Sequence, residues 1–100
     1  MSYLSDYSQI DPALYSWARK HKLNVLTVYK DCEVRSVDVV RNSANRYQIW
    51  LDPPNEKNEI GIHAWDYKKR KADIECSLSE LENKLEEIYS MVLLWEGEER

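Results

Sequence analysis

Apolar and polar positions follow two different periods along this chain, and the changes of period mark its elements. An Asp11-Pro12 pair precedes apolar residues that recur three and four positions apart, which is the pattern of an amphipathic helix. We predict a helix from Asp11 to about Lys22, in which the Asp11 carboxylate accepts hydrogen bonds from N–H groups of the first turn. Its apolar face consists of Leu14, Trp17, Ala18 and His21.

From residue 23 the period becomes that of β-strands, with β-branched and aromatic residues bounded by polar turns. The strongest turn signal is Pro53-Pro54, because proline lacks the N–H group that a central strand needs. Short connections between consecutive strands favour an antiparallel meander. The predicted strands cover 23–29, 34–40, 46–51, 60–66 and, as a short fifth strand, 72–76.

The last element is an apolar stripe at alternating steps of three and four over about five helical turns. A capping box at Ser77–Glu80 or at Ser79–Glu82 can open this helix, and we expect Gly97 to end it. Because the stripe is short for a coiled coil, we predict that it packs on the sheet. Its members are Leu78, Leu81, Leu85, Ile88, Val92 and Trp95.

Together these elements predict an α+β fold, in which an antiparallel four- to five-stranded meander is flanked by an N-terminal helix and a long C-terminal amphipathic helix. The 100 residues suffice for a single domain, 1–100, and the polar residues 1–10 are expected to form a loosely attached N-terminal arm. No run approaches the ~20 apolar residues of a membrane helix, and the first residues do not resemble an export signal. We therefore expect a cytoplasmic protein in which Cys32 and Cys76 are free thiols.

The formal net charge of −4 is unevenly distributed along the chain. Residues 1–72 carry 12 basic and 9 acidic side chains, whereas residues 73–100 carry 9 acidic and 2 basic ones. Such a separation of charge can steer a charged partner toward the protein. A long helix that turns its glutamates to solvent would give the same distribution without any role in binding.

The sequence offers little for catalysis. Glycine occurs only at positions 61 and 97, which excludes a glycine-rich phosphate loop, and the cysteines and histidines lack the spacing of a zinc site. A thiol nucleophile at Cys32 would need His63 and Asp66 beside it, and no spacing requires that arrangement. We expect no enzymatic activity, no cofactor and no bound metal.

The aromatic residues are more informative. Four tryptophans and seven tyrosines with no phenylalanine mean that nearly every ring carries a hydrogen-bonding group, which is typical of protein interfaces. If the aliphatic residues of strands 46–51 and 60–66 face the helices, alternation places Trp50, His63 and Trp65 on the opposite face. We predict that these three side chains bind a partner protein. Alternatively, the first helix covers this face, or the alternation is displaced by one residue.

In layout and charge the chain resembles the small bacterial immunity proteins, which are compact, often acidic α+β proteins that block the basic active site of a toxin. The resemblance extends over the whole chain as architecture and includes no diagnostic motif. It implies a non-enzymatic module that binds and neutralises a partner protein, with the helix glutamates as partner-binding, steering charges. A homodimer that forms through the tryptophan face is a further alternative, independent of the resemblance. The residues behind the resemblance are Trp50, Trp65, Glu80, Glu82, Glu86 and Glu87.

A second hypothesis is a nucleic-acid-binding or regulatory protein that uses a basic turn. Cations neutralise phosphates, and the neighbouring rings of Trp65 and Tyr67 can stack on bases. The acidic net charge, the shortness of the run and the absence of the aromatic sheet motif of RNA-recognition domains count against it. The basic turn consists of Lys68, Lys69, Arg70 and Lys71.

Overall fold

The computed structural model describes residues 7–40 and 46–98, and it has the predicted α+β fold. All five predicted strands form, including the short fifth one, and a 3₁₀ turn (Leu78–Glu80) leads into the last helix. The elements are α1 (Asp11–Lys20), β1 (Val25–Tyr29), β2 (Cys32–Val40), β3 (Arg46–Leu51), β4 (Glu59–Trp65), β5 (Lys71–Ser77) and α2 (Leu81–Glu98).

The strands are antiparallel and lie side by side in chain order, from β1 to β5. Lys30 and Asp31 alone connect β1 to β2, with φ angles of 51° and 68°, as a type I′ hairpin turn requires at both of its central positions. Because this turn is so short, β2 begins at Cys32, earlier than the predicted start at 34. The polar interruption at 30–33 predicts a hairpin here, but it does not show that the turn has only two residues, because the usual markers of that turn, asparagine and glycine, are absent.

The helix α1 begins at Asp11, as predicted, but the Asp11 side chain does not cap it. Ile10 is the N-cap residue and makes no side-chain cap. The Asp11 carboxylate instead accepts hydrogen bonds from Arg35, at 2.7 Å from Nε and 3.1 Å from Nη2. Two charge-assisted hydrogen bonds to one guanidinium fix the geometry of this pair, and Asp11 thus joins α1 to β2 rather than capping its own helix.

Tyr7 and Ile10 are part of the core, whereas Ser8 and Gln9 between them are exposed. Ile10 is fully buried and Tyr7 is 6% exposed, while the Arg35 guanidinium lies 4.6 Å from the centre of the Tyr7 ring. The prediction of a loosely attached arm is therefore wrong for residues 7–10, because burial of these two side chains offsets the entropy lost on ordering. Residues 1–6 lie outside the described residues.

The end of α1 adopts a Schellman motif. Lys22 has a φ of 58°, and the N–H of Leu23 donates to the carbonyl of Ala18 at 2.8 Å. This pairing satisfies a carbonyl of the last turn and sends the chain toward β1. The helix thus ends at Lys20, close to the predicted boundary.

Both helices pack on one face of the sheet, and in the described part of the chain one cluster of buried residues fills the space between them. The α2 stripe is buried from Leu81 to Trp95, as predicted, whereas Leu78 in the 3₁₀ turn is 39% exposed. Gly97 lies within α2, which runs to Glu98, so the helix does not end at this glycine. None of the helices in the described ranges has the length and apolar character needed to cross a membrane.

Candidate protein-binding face

Side chains alternate along β3 and β4 between the helix-covered face and the opposite one. Ile49 and Ile62 point to the helices and are fully buried, whereas Trp50, His63 and Trp65 are partly exposed on the other side. Because α1 and α2 both pack on the inner face, neither helix covers these three side chains, and the alternation has the predicted phase. We call this side the open face, and it carries Leu26, Ser36, Asp38, Gln48, Trp50, His63, Trp65 and Asp73.

The strand register places one row of side chains across the whole open face. Leu26 pairs with Ser36, Ser36 with Trp50, Trp50 with His63 and His63 with Asp73. The Trp50 and His63 rings stack, with centroids 5.1 Å apart and planes 24° apart. This row brings an apolar end, an aromatic centre and a charged end onto one surface.

His63 is held between two carboxylates. Its Nδ1 lies 2.6 Å from Oδ1 of Asp73, and its Nε2 lies 2.7 Å from Oδ2 of Asp52. Partial burial by itself lowers the pKa of His63, but the hydrogen bonds to Asp73 and Asp52 outweigh it, and the pKa is raised above the ordinary 6.5. The protonated ring donates to both carboxylates, an arrangement that we call the His63 clamp.

Gly61 makes room for the His63 clamp. A Cβ atom at this position would lie 2.8 Å from Oδ2 of Asp52 and 3.2 Å from Nε2 of His63. Glycine within a strand often marks such a close approach. This signal was present in the sequence, but it does not reveal which side chains approach.

Aromatic side chains line a groove of about 620 Å³ on the open face. The Trp65 and Tyr67 rings lie 4.9 Å apart, and the Tyr67 hydroxyl donates to Asp38 at 3.0 Å. We call this the aromatic groove. Its apolar and aromatic lining includes Leu26, Tyr29, Trp50, Trp65 and Tyr67, and its carboxylates are Asp38 and Asp52.

A second pocket, of about 490 Å³, lies beside His63. Asp52 lines both the aromatic groove and this pocket, and the stacked Trp50 and His63 rings lie between them. We call it the acidic pocket, because its charged lining consists of Asp52, Glu59, His63, Asp73 and Glu75.

The helix glutamates that sequence reasoning proposed as steering charges have contacts within the fold. Glu86 binds Lys20 Nζ at 2.7 Å and His21 Nε2 at 2.8 Å, and the hydrogen bond from Lys20 is the main reason that the pKa of Glu86 is lowered. Glu87 lies 3.3 Å from Lys84. Since α2 packs on the inner face, its glutamates do not share the side on which Trp50 lies.

The two other predicted glutamates are also located. Glu80 lies in the 3₁₀ turn, where its carboxylate accepts a hydrogen bond from the Ser77 hydroxyl at 3.2 Å, although the Ser77 side chain does not cap a backbone N–H. Glu82 is exposed in the first turn of α2. The carboxylates near Trp50 are instead those of the acidic pocket, which come from Asp52 directly after β3 and from β4 and β5.

The basic turn is organised by Asp66. Its Oδ1 accepts hydrogen bonds from the backbone N–H groups of Lys68, Lys69 and Arg70 at 2.8, 2.9 and 3.0 Å. Burial alone raises the pKa of Asp66, but these three hydrogen bonds outweigh it and the pKa is lowered. The Arg70 guanidinium also donates to the Trp95 carbonyl near the end of α2, at 3.5 Å.

The polar groups considered for catalysis are engaged elsewhere. Both His63 nitrogens contact carboxylates and Asp66 binds backbone N–H groups, and the Cys32 thiol is exposed. Cys32 and Cys76 are both free, and burial raises the pKa of Cys76. Within residues 7–40 and 46–98, no group of histidine, cysteine, aspartate or glutamate side chains is arranged to hold a metal ion.

No protein-family model, curated protein or solved structure matches the chain. The features of this chain that bear on function are the open face, the aromatic groove and the acidic pocket.

Proposed function

We propose that this protein is a non-enzymatic interaction module that binds a partner protein through the open face. The observation that carries the proposal is the pair Trp50 and Trp65, which are partly exposed at the centre of a sheet face that no helix covers. Tryptophan is among the residues that contribute most to binding energy at interfaces, where it is central and surrounded by polar groups. Leu26 extends the apolar area to the edge strand β1.

The pairing of polar groups on the open face supports binding rather than catalysis. A general base needs a nitrogen or oxygen that can reach a substrate proton, and both His63 nitrogens are already bound to carboxylates. These internal pairs keep the charged groups in place around the tryptophans. A rigid polar rim around an aromatic centre is the arrangement of an interface.

We extend the proposal to neutralisation of the partner, as in immunity proteins. Carboxylates of the acidic pocket lie next to Trp50, and an acidic surface favours fast association with a basic one. A partner whose basic active site faced this surface would be blocked on binding. Enzymatic assay of the identified partner, with and without this protein, tests the extension.

Nucleic-acid binding remains the second candidate, favoured by one observation. The basic turn directly follows Trp65 and Tyr67, whose rings are in contact. However, Asp38, Asp52 and Asp73 lie on the same face and would repel phosphates. The open face as a whole therefore suits a protein better than a nucleic acid.

Affinity capture from the native lysate, with and without nuclease, tests the proposal. The wild-type protein is compared with Trp50→Ser/Trp65→Ser and with Leu94→Ser, which alters an α2 side chain that is 66% exposed; thermal unfolding confirms that each variant is folded. We expect the wild type and Leu94→Ser to capture one protein in near-stoichiometric amount and to retain it after nuclease treatment. The tryptophan variant should not capture this protein. Equal capture by all three contradicts the proposal, and loss of all material with nuclease favours the basic turn.

A further inference from the structure

The open face offers a partner two different kinds of contact side by side. The aromatic groove provides apolar surface, and the acidic pocket provides negative charge. Asp52 lines both of them. A ligand that spans the junction therefore needs an apolar group and a cationic group next to each other.

The carboxylates of the acidic pocket outnumber its cations. Asp52, Asp73, Glu59 and Glu75 face one histidine, His63, which remains outnumbered even when it is protonated. Asp52 contacts His63 through its Oδ2 atom, and Asp73 contacts His63 through its Oδ1 atom. Among the described residues the second oxygens of both carboxylates have no hydrogen-bond partner, and both side chains are more than half exposed. These oxygens are available to an incoming cation.

The chain itself shows how such a surface holds a guanidinium group. Arg46 lies 5.5 Å from the Tyr67 ring centre and 3.3 Å from Asp38, at the edge of the aromatic groove. Arg35, which also lines the groove, lies 4.6 Å from the centre of the Tyr7 ring and binds Asp11. In both places an aromatic ring and a carboxylate hold one arginine. Trp50 and Asp52 line the same groove as a third ring and carboxylate, and both contact His63 but no arginine of the described residues.

We infer that the partner segment seated on the open face presents an arginine beside an apolar side chain. The guanidinium group binds the carboxylates of the acidic pocket at Asp52 and Asp73, and the apolar neighbour fills the aromatic groove beside Trp50 and Trp65. Arginine suits this site better than lysine, because its planar group stacks on aromatic rings and binds carboxylates through two parallel hydrogen bonds. This inference rests on the proposed function, since it specifies the chemistry of the partner.

The experiment uses short blocked peptides of alternating arginine and leucine as the probe. Peptides with citrulline or lysine in place of arginine are the controls, because citrulline has the size and shape of arginine without its charge. Binding is followed by NMR through the indole N–H signals. The buried Trp17 and Trp95 serve as internal references for Trp50 and Trp65.

Two protein variants with the same net charge distinguish an effect of the acidic pocket on binding from an effect of the overall charge. Asp52→Asn/Asp73→Asn removes two carboxylates of the acidic pocket, and Glu82→Gln/Glu87→Gln removes two from α2. A third variant, Glu59→Gln/Glu75→Gln, weakens the acidic pocket without touching His63. All three are compared with the wild-type protein at the same ionic strength.

We expect the arginine peptide to shift the Trp50 and Trp65 signals saturably, with affinity in the order arginine, lysine, citrulline. The Asp52/Asp73 variant should weaken binding by about tenfold, the Glu59/Glu75 variant by less, and the Glu82/Glu87 variant by little. The inference would be overturned if the citrulline peptide bound as tightly as the arginine peptide, or if the Asp52/Asp73 and Glu82/Glu87 variants lost the same affinity. It would also be overturned if only the Trp17 and Trp95 signals shifted. If the peptides fail while lysate capture still depends on Trp50 and Trp65, the proposed function stands and only the arginine anchor is rejected.

Discussion

The two faces of the sheet are built from the same strands but are held together by different forces. Ile49 and Ile62 on the inner face are fully buried among aliphatic side chains from α1 and α2. On the open face, their neighbours Trp50 and His63 are partly exposed and are arranged by directional contacts with rings and carboxylates. We infer that the inner face supplies the stability of the fold and that the open face supplies its recognition.

The largest expected effect separates the two faces at adjacent residues. Ile49→Ala should reduce the free energy of unfolding by about 3 kcal/mol, because it leaves a cavity in the core. Trp50→Ala should reduce it by only about 1 kcal/mol, because the side chain is partly exposed and its contacts are at the surface. Urea denaturation of both variants measures the difference. Losses of similar size would show that the open face contributes to stability as much as the core does.

A second prediction concerns Asp66, where the chain leaves β4 for the basic turn. Asp66→Ala should reduce the free energy of unfolding by about 2 kcal/mol, because three backbone N–H groups lose their charged acceptor. Asp66→Asn keeps an acceptor oxygen and should cost less. Since the pKa of Asp66 is lowered in the folded protein, its contribution is present above the unfolded pKa and is lost as the pH falls through the folded value. Urea denaturation at neutral and acidic pH measures this contribution. An Asp66→Ala variant as stable as the wild type at neutral pH would contradict the prediction.

The His63 clamp should give the open face its own pH dependence. The pKa of His63 is raised, so the stability from the clamp is fully present below the unfolded pKa of about 6.5 and is lost as the pH rises through the higher folded pKa. NMR titration of the imidazole signals measures this folded value. Asp73→Asn should lower the pKa of His63, because one carboxylate partner is removed.

Gly61→Ala is the sharper test of the clamp, since it changes no ionisable group. The added methyl would lie 2.8 Å from Oδ2 of Asp52, and this exposed carboxylate can move away from His63. We expect a lower pKa of His63 together with a small loss of stability, below about 1 kcal/mol, because only the end of an exposed side chain must move. A pKa of His63 unchanged from wild type would show that Asp52 does not hold the ring.

A stabilising change is expected away from both faces, at the end of α1. Lys22 occupies the left-handed conformation that favours glycine. Lys22→Gly should therefore raise the free energy of unfolding by about 1 kcal/mol, measured by urea denaturation. A loss of stability would mean that the Lys22 side chain has contacts that outweigh the backbone strain. The stabilised protein also provides a background in which open-face variants remain folded.

Periodicity was sufficient to predict the fold class, the order of the elements and the orientation of Trp50, His63 and Trp65. It succeeds because a repeat of two or of 3.6 residues reports directly which side chains are buried. It also predicted the α2 stripe on the sheet, from Leu81 to Trp95. These features depend on local spacing, which any single sequence displays.

Only the tertiary structure decided how the polar groups pair. Asp52, His63 and Asp73 come from different parts of the meander, and the strand register brings them into contact. Charged groups interact strongly only over a few ångströms, so a change of register by two residues would remove the clamp while leaving the same side chains on each face of the sheet.

The same reason explains the contacts that sequence reasoning assigned differently. Asp11 binds Arg35 instead of capping α1, and Glu86 binds Lys20 and His21 instead of remaining a free steering charge. Each pair joins elements far apart in the chain, and its members compete with several other charged groups for a partner. Spacing determines which face a residue occupies, whereas the packing of helices and strands determines which charges come within hydrogen-bonding distance.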